Sequence, residues 1–188
     1  MKPAASISPR EQQLLNSARS GDSVAFAALI EESAPTLERL ALRLVGHRQD
    51  AEDIAQEAVV SAWNRLGSFR AEATFRTWIC RILVRRGLDL LRTRREPVTM
   101  TDQPASGADP AVHAAGAEIQ QRVHEAIDEL PPVQRATMLL RVEQGLSYEE
   151  IAYVLGSTRN AVRVNLIAAR RALAHQLRNV VDLGGEAS

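Results

Sequence analysis

The stretch that most restricts the fold runs from Leu146 to Arg171, where the residues read as two helices around a glycine turn. Ser147 can accept from the amide of Glu150 while the Glu150 side chain reaches back, a capping box, and Ile151, Val154 and Leu155 then share one face of a short helix. Gly156 stops that helix. Thr158 is placed to cap a second one, in which Val162, Leu166, Ala169 and Leu173 recur at three- and four-residue steps as the buried stripe. The opposite face carries Arg159, Asn160, Arg163, Val164 and Ile167. In a helix-turn-helix those first turns lie in the major groove and meet base edges. From Gly156 to Val181 there is no acidic residue, while Arg159, Arg163, Arg170, Arg171 and Arg178 all fall there. Such a surface suits phosphate.

Composition sets the scale for the rest. The chain of 188 residues is long for one helical domain and comfortable for two small ones. Its formal net charge is zero, so any affinity for nucleic acid must come from local patches and be weak when the chain is alone. Cys80 is the only cysteine, which excludes an internal disulfide and a cysteine-based zinc cluster and fits a reducing, cytoplasmic setting. His47, His113, His124 and His175 show no ligand spacing, so no metal and no cofactor is expected. The sequence holds no signal peptide and no apolar run long enough to span a bilayer, hence no direct membrane insertion is expected. Strand-like alternation is also missing. The expected fold is all-α.

Taken in order, residues 1–9 read as a disordered tail, followed by a short helix from Pro9 to about Ser20, ended by Gly21. Asp22 can cap a second helix, which Pro35 should kink or split before Gly46 closes it. A third helix, from about 50 to 66, buries Ile54, Ala58, Val59, Ala62 and Leu66. It turns Asp50, Asp53, Gln56 and Glu57 outward as an acidic ridge. That ridge belongs to a wider acidic surface, because residues 31–57 hold seven acids against Arg39, Arg43 and Arg48. Such a surface can dock a basic partner.

The sign of the charge then reverses. A loop, Arg70-Ala71-Glu72-Ala73-Thr74, sits between Phe69 and Phe75, and a long helix follows from about Thr74 to Arg94. Trp78, Ile79, Ile82, Leu83, Leu88, Leu90 and Leu91 give it apolar faces; Arg76, Arg81, Arg85, Arg86 and Arg92 form a stripe suited to phosphate. Core packing is the first role of Trp63 and Trp78, which leaves the arginine-flanked loop as the better place for a splayed base. Residues 96–116, with Pro97, Pro104, Pro110, Gly107 and Gly116, break every helical pattern and read as a linker. Fully extended, it would span at most roughly 65 to 70 Å, so the two helical units can sit far apart. The second unit starts near Ala117, with Ile119, Val123, Ala126, Ile127 and Leu130 in phase. Pro132 can open the next helix at its first position. The organisation is therefore a first domain over 10–95, a linker over 96–116, a second domain over 117–178 and a tail over 179–188.

This order of acidic helix, loop with aromatic borders, arginine-rich helix, linker and helix-turn-helix resembles the two-domain sigma factors of the extracytoplasmic-function group. Three segments carry the likeness: Asp50-Ala51-Glu52-Asp53-Ile54-Ala55-Gln56-Glu57; Phe69 through Phe75-Arg76-Thr77-Trp78-Ile79-Cys80-Arg81-Ile82 with Asp89-Leu90-Leu91-Arg92; and Leu130-Pro131 with Gly145-Leu146-Ser147-Tyr148-Glu149-Glu150-Ile151-Ala152. The resemblance implies a non-catalytic subunit that brings core RNA polymerase to promoters. In it Asp50, Asp53, Gln56 and Glu57 would meet the coiled coil of the polymerase clamp, and the second domain's apolar surface would seat the flap. Arg70, Ala71, Glu72, Ala73, Thr74, Phe75, Arg76, Trp78, Arg81, Arg85 and Arg86 would handle the downstream promoter box and trap an unpaired base. Extruding that base costs a few kcal/mol, which a pocket and stacking partners must offset. Arg159, Asn160, Arg163, Val164 and Ile167 would read the upstream box, with Arg170 and Arg171 nearer to phosphate. The family also implies an anti-sigma factor as partner. Arg85, Ala161, Asn165 and Cys80 depart from residues frequent in the family, so no promoter sequence carries over. Two other readings compete. A decoy that sequesters an anti-sigma factor would need no DNA-reading arginines, and a conventional helix-turn-helix regulator would leave the first 95 residues without a role. An enzyme is disfavoured, since no nucleophile-base pair or phosphate loop is present.

Overall fold

A computed structural model describes residues 7–95 and 116–184. Its elements are α1 (Pro9–Arg19), α2 (Ser23–Val45), α3 (Arg48–Arg65), a short 3-10 turn (Leu66–Ser68), α4 (Phe75–Arg95), α5 (Gly116–Asp128), α6 (Pro132–Val142), α7 (Tyr148–Leu155) and α8 (Arg159–Gly184). No strand occurs among the described residues. The linker expected at 96–116 lies, but for Gly116, outside them, as do most of the N-terminal tail and the last four residues. Ile7, placed in the tail by sequence, packs against the core.

The local rules that end helices act where the sequence places them. Asp22 Oδ1 accepts from the amides of Val24 and Ala25 at 2.9 and 3.1 Å to open α2, and Gly46 closes it in the left-handed region at φ 74°. The split expected as one outcome at Pro35 does not occur, since α2 runs on through it. A proline deletes one rung of the ladder, and here flanking packing outweighs that loss: Ser33, Thr36, Leu37 and Leu40 beside it are all buried. The third helix begins at Arg48, two residues earlier than the acidic run suggests, with His47 at its N-cap and no side-chain cap.

α1 to α4 form a bundle in which Leu29, Leu37, Leu40, Leu44, Ala58, Ala62, Ile79 and Leu83 fill the interior. Gly87 permits the closest approach of α4, because a methyl group there would stand 2.6 Å from Leu44 Cδ2. One end of the bundle is aromatic. Phe26, Phe69, Phe75 and Trp78 pack tilted or edge-on with ring centres 5.1 to 6.4 Å apart, and Trp63 closes on Phe26 at 5.0 Å.

α5 to α8 make the second unit around Leu130, Leu139, Leu140, Ile151, Val154, Val162, Leu166 and Ala169. Pro132 does occupy the first turn of α6. The two units, which a long linker allows to separate, pack directly on each other through α4 with α7, α2 with α6 and α4 with α6. Arg43 on α2 places Nη1 3.0 and 3.1 Å from the two carboxylate oxygens of Asp128 and Nε 3.4 Å from Glu143. Arg135 on α6 donates to the Leu44 carbonyl at 3.0 Å.

Candidate nucleic-acid and protein-docking surfaces

The helix-turn-helix forms as its residues dictate. Glu150 N donates to Ser147 Oγ at 3.2 Å, and Ser147 N donates to Glu150 Oε2 at 2.8 Å. Gly156 turns the chain at φ 61°, and Thr158 Oγ1 accepts from the amide of Ala161 at 3.1 Å to open α8. With Val162, Leu166 and Ala169 buried against α6 and α7, the outer face of α8 presents Arg159, Asn160, Arg163, Val164, Ile167, Arg170 and Arg171, all exposed. Three of these are already paired. Arg163 Nη2 donates to Asn160 Oδ1 at 3.0 Å, and Arg159 Nε lies 3.0 Å from Glu149 Oε1 on α7. Arginine and asparagine in the first turns are the side chains that reach base edges in a major groove.

The second surface is the segment from Phe69 to Thr74 with the outer face of α4. Arg70, Ala71, Arg76, Arg85 and Arg86 are exposed there, with Glu72 and Thr74 half-buried. Ala71 holds φ at 56°, a conformation that costs a non-glycine residue energy and persists only in a loop fixed by its surroundings. Thr74 Oγ1 caps α4 through the amide of Thr77 at 3.2 Å. Three residues expected to face DNA do not. Ala73, Phe75 and Trp78 are buried, because the aromatic cluster takes both rings inward and draws Ala73 with them. They back the loop from behind, which leaves the arginines and Thr74 as its solvent-facing side chains. Behind the loop a recess of about 220 Å³ opens between α1, α2 and the start of α4, lined by Glu11, Leu29, Glu32, Ser33, Thr74, Phe75 and Arg76.

Arg81, also expected to face DNA, is half-buried and lies under the second unit, its guanidinium carbon 4.6 Å from the centre of the Tyr153 ring on α7. Burial pushes the Tyr153 phenol above its usual pKa; Arg81 pulls it down and Glu72 adds to the rise. Beside this contact an open cleft of about 620 Å³ separates α4 from α6 and α7, with Arg85 and Arg92 on one wall and Val133 and Leu155 on the other.

On α3 the acidic ridge is narrower than its sequence suggests. Asp53, Gln56 and Glu57 are exposed, whereas Asp50 is turned toward α4, its carboxylate 2.7 Å from Arg94 Nη1 and 3.5 Å from His47 Nδ1. The ridge continues into apolar residues that sequence reasoning set aside, since Val60 and Trp63 remain 60% and 39% exposed. Their spacing from Gln56, four and seven residues on, was the available signal. Cys80 is buried, and that burial pushes its thiol up to about 12 in spite of the nearby Arg76. No helix among the described residues is long and apolar enough to cross a membrane.

Comparison with known proteins places the chain in a family. Residues 29–96 match the family described as Sigma-70 region 2, and residues 120–173 match Sigma-70, region 4. The RNA polymerase sigma-H factor of Pseudomonas aeruginosa is 34% identical over 177 residues, covering 87% of this chain and 92% of that protein. The ECF RNA polymerase sigma-E factor of Escherichia coli is 30% identical over 184 residues, covering 91% and 96%. Among solved structures, CnrH in complex with the cytosolic domain of CnrY aligns at a TM-score of 0.69 with 27% identity, over 90% of this chain and 98% of that one.

Proposed function

The chain belongs to the sigma-70 family as an RNA polymerase sigma factor of the extracytoplasmic-function group, and from that membership we propose a division of labour among its three surfaces. The outer face of α8 reads the upstream promoter box, Arg159, Asn160 and Arg163 at base edges with Val164 and Ile167 beside them, Arg170 and Arg171 on phosphate. The segment from Arg70 to Thr74, with Arg76, Arg85 and Arg86, holds the downstream box and captures an unpaired base during melting. Asp53, Gln56 and Glu57, with Val60 and Trp63, dock on the coiled coil of the polymerase clamp, and the apolar surface of the second unit seats the flap. Asp50 supports this ridge from its ion pair with Arg94.

The observation that carries the reading is the sorting of charge in a chain of zero net charge. One helix turns acids outward, while α4 and α8 turn exposed arginines outward. DNA affinity of the isolated chain is then weak, and the polymerase supplies the rest. The protein has no catalytic centre of its own and works in the cytoplasm. A small protein partner, an anti-sigma factor, holds it inactive by covering the faces that polymerase needs. CnrH, solved with the cytosolic domain of CnrY, lends this support.

Run-off transcription with purified core polymerase on a two-box promoter is the test. A promoter-dependent product that disappears when α8 is deleted is expected. Absence of product together with absence of core binding refutes the reading.

A further inference from the structure

We infer that Glu11 and Arg19 on α1 are positioning residues for the base-capturing loop, gripping its two ends from one helix. Glu11 Oε1 accepts from the amide of Phe75, the first residue of α4, at 2.5 Å. Arg19 Nη2 donates to the carbonyl of Phe69, where the loop begins, and its guanidinium carbon lies 5.7 Å from the centre of the Phe69 ring. Glu11, Leu15 and Arg19 follow at four-residue steps, so they share one face. Leu15, 1% exposed, anchors that face in the core. At a rise of about 1.5 Å per residue the backbones of Glu11 and Arg19 stand roughly 12 Å apart along the helix, so one helix holds both ends of the loop at separate points.

The local sequence shows what Glu11 forgoes. Ser8-Pro9-Arg10-Glu11 has the pattern of a capping box, and Ser8 Oγ does accept from the Glu11 amide at 3.1 Å. The returning half is not made; the Glu11 carboxylate is turned to α4 instead. In Ser147 to Glu150 the same pattern closes on itself. A side chain that departs from its local rule to hold a distant backbone group marks a place where geometry is being fixed for another purpose. Here the held segment contains Ala71 in its strained conformation, and neither end of it can relax while both grips are in place. A loop already ordered loses less entropy when a base enters it than a loose one does.

The inference rests on the assignment of this loop to the downstream box, and the experiment separates the two. Holoenzyme reconstituted with Glu11→Ala, Glu11→Gln, Arg19→Ala, Arg19→Lys and Arg70→Ala is titrated with a single-stranded oligonucleotide carrying the non-template strand of the downstream box. A matched set carries one abasic position in turn along the box. Core affinity, binding of an upstream-box duplex and thermal unfolding are measured in parallel. Glu11→Ala and Arg19→Ala are expected to weaken oligonucleotide binding about tenfold, the worth of a charge-assisted hydrogen bond, with core affinity and duplex binding unchanged. The loss disappears on the abasic oligonucleotide that lacks the captured base, and Glu11→Gln and Arg19→Lys recover most of it. Equal losses on intact and all abasic strands, or loss only in step with lowered unfolding temperature, overturn the inference. Binding unchanged in both alanine variants while Arg70→Ala weakens it overturns the inference and leaves the loop assignment standing. No effect from Arg70→Ala or from any abasic position overturns both.

Discussion

Replacing Arg43 by alanine should open the contact between the two helical units. Its side chain is only 17% exposed and spans Asp128 on α5 and Glu143 just past α6. A hydrogen bond to a charged group is worth about 1.5 to 3 kcal/mol, and the 43% exposure of Asp128 argues for the lower end of that range. The Glu143 contact, at 3.4 Å, adds little. A loss of about 1.5 kcal/mol shifts the closed-to-open ratio roughly tenfold. Arg135, still bonded to the Leu44 carbonyl, should keep closure measurable. Acid adds a second signature. Burial raises the pKa of Asp128 against the pull of Arg43, Arg135 and His124, so removing Arg43 raises it further. The part of this rise that comes from the first unit covering Asp128 favours closure below the open-state pKa, and that contribution is lost as pH rises through the closed-state value. Energy transfer between labels on Asn64→Cys and His175→Cys, both exposed positions, reports the closure in the free chain. Arg43→Ala should lower transfer at neutral pH and regain part of it on acidification into the carboxylate range. Transfer that matches the parent at every pH and salt concentration would refute the reasoning.

Three further outcomes follow from the geometry. Arg163→Ala should cost about 1 to 3 kcal/mol at one base position of the upstream box, whereas Arg171→Ala should weaken all sequences alike and lower the salt slope by about one; equal losses for Arg163→Ala on cognate and scrambled duplexes would contradict the assignment. Glu149→Gln should release Arg159 from its 3.0 Å pairing and tighten duplex binding up to fivefold, because an exposed pair is worth about 0 to 1 kcal/mol, with the gain fading in high salt. Cys80, buried and pushed up to about 12, should resist a thiol reagent at pH 8 in the native chain and react at the rate of unfolding; prompt labelling of the folded protein would show that the burial is wrong.

The difference between what the sequence made legible and what it hid lies in the range of the interactions. The capping box at Ser147, the glycine turn at 156 and the stripe of Val162, Leu166 and Ala169 are set by residues within a few positions of one another, and each forms as read. The exposed face of α8 was therefore readable as a face, since fixing the buried stripe fixes its opposite side. Pro35 shows the first limit: its local cost was plain, but the packing of α2 that outweighs it comes from four other helices, α1, α3, α4 and α6. The downstream surface shows the second. Phe75 and Trp78 stand beside arginines in sequence, yet the ring positions that bury them depend on Phe26, about fifty residues away. The grips of Glu11 and Arg19 on Phe75 and Phe69 span 64 and 50 residues, and Arg43 reaches Asp128 across 85. For such contacts the sequence offers only an unpaired charge on an amphipathic helix, and a solvated face looks the same. The one local clue was Glu11, whose position in a capping-box pattern predicts a bond that it makes elsewhere. That kind of departure is where a close reading of sequence can still point to a distant partner, because a side chain drawn to a remote backbone group leaves its local bond unmade.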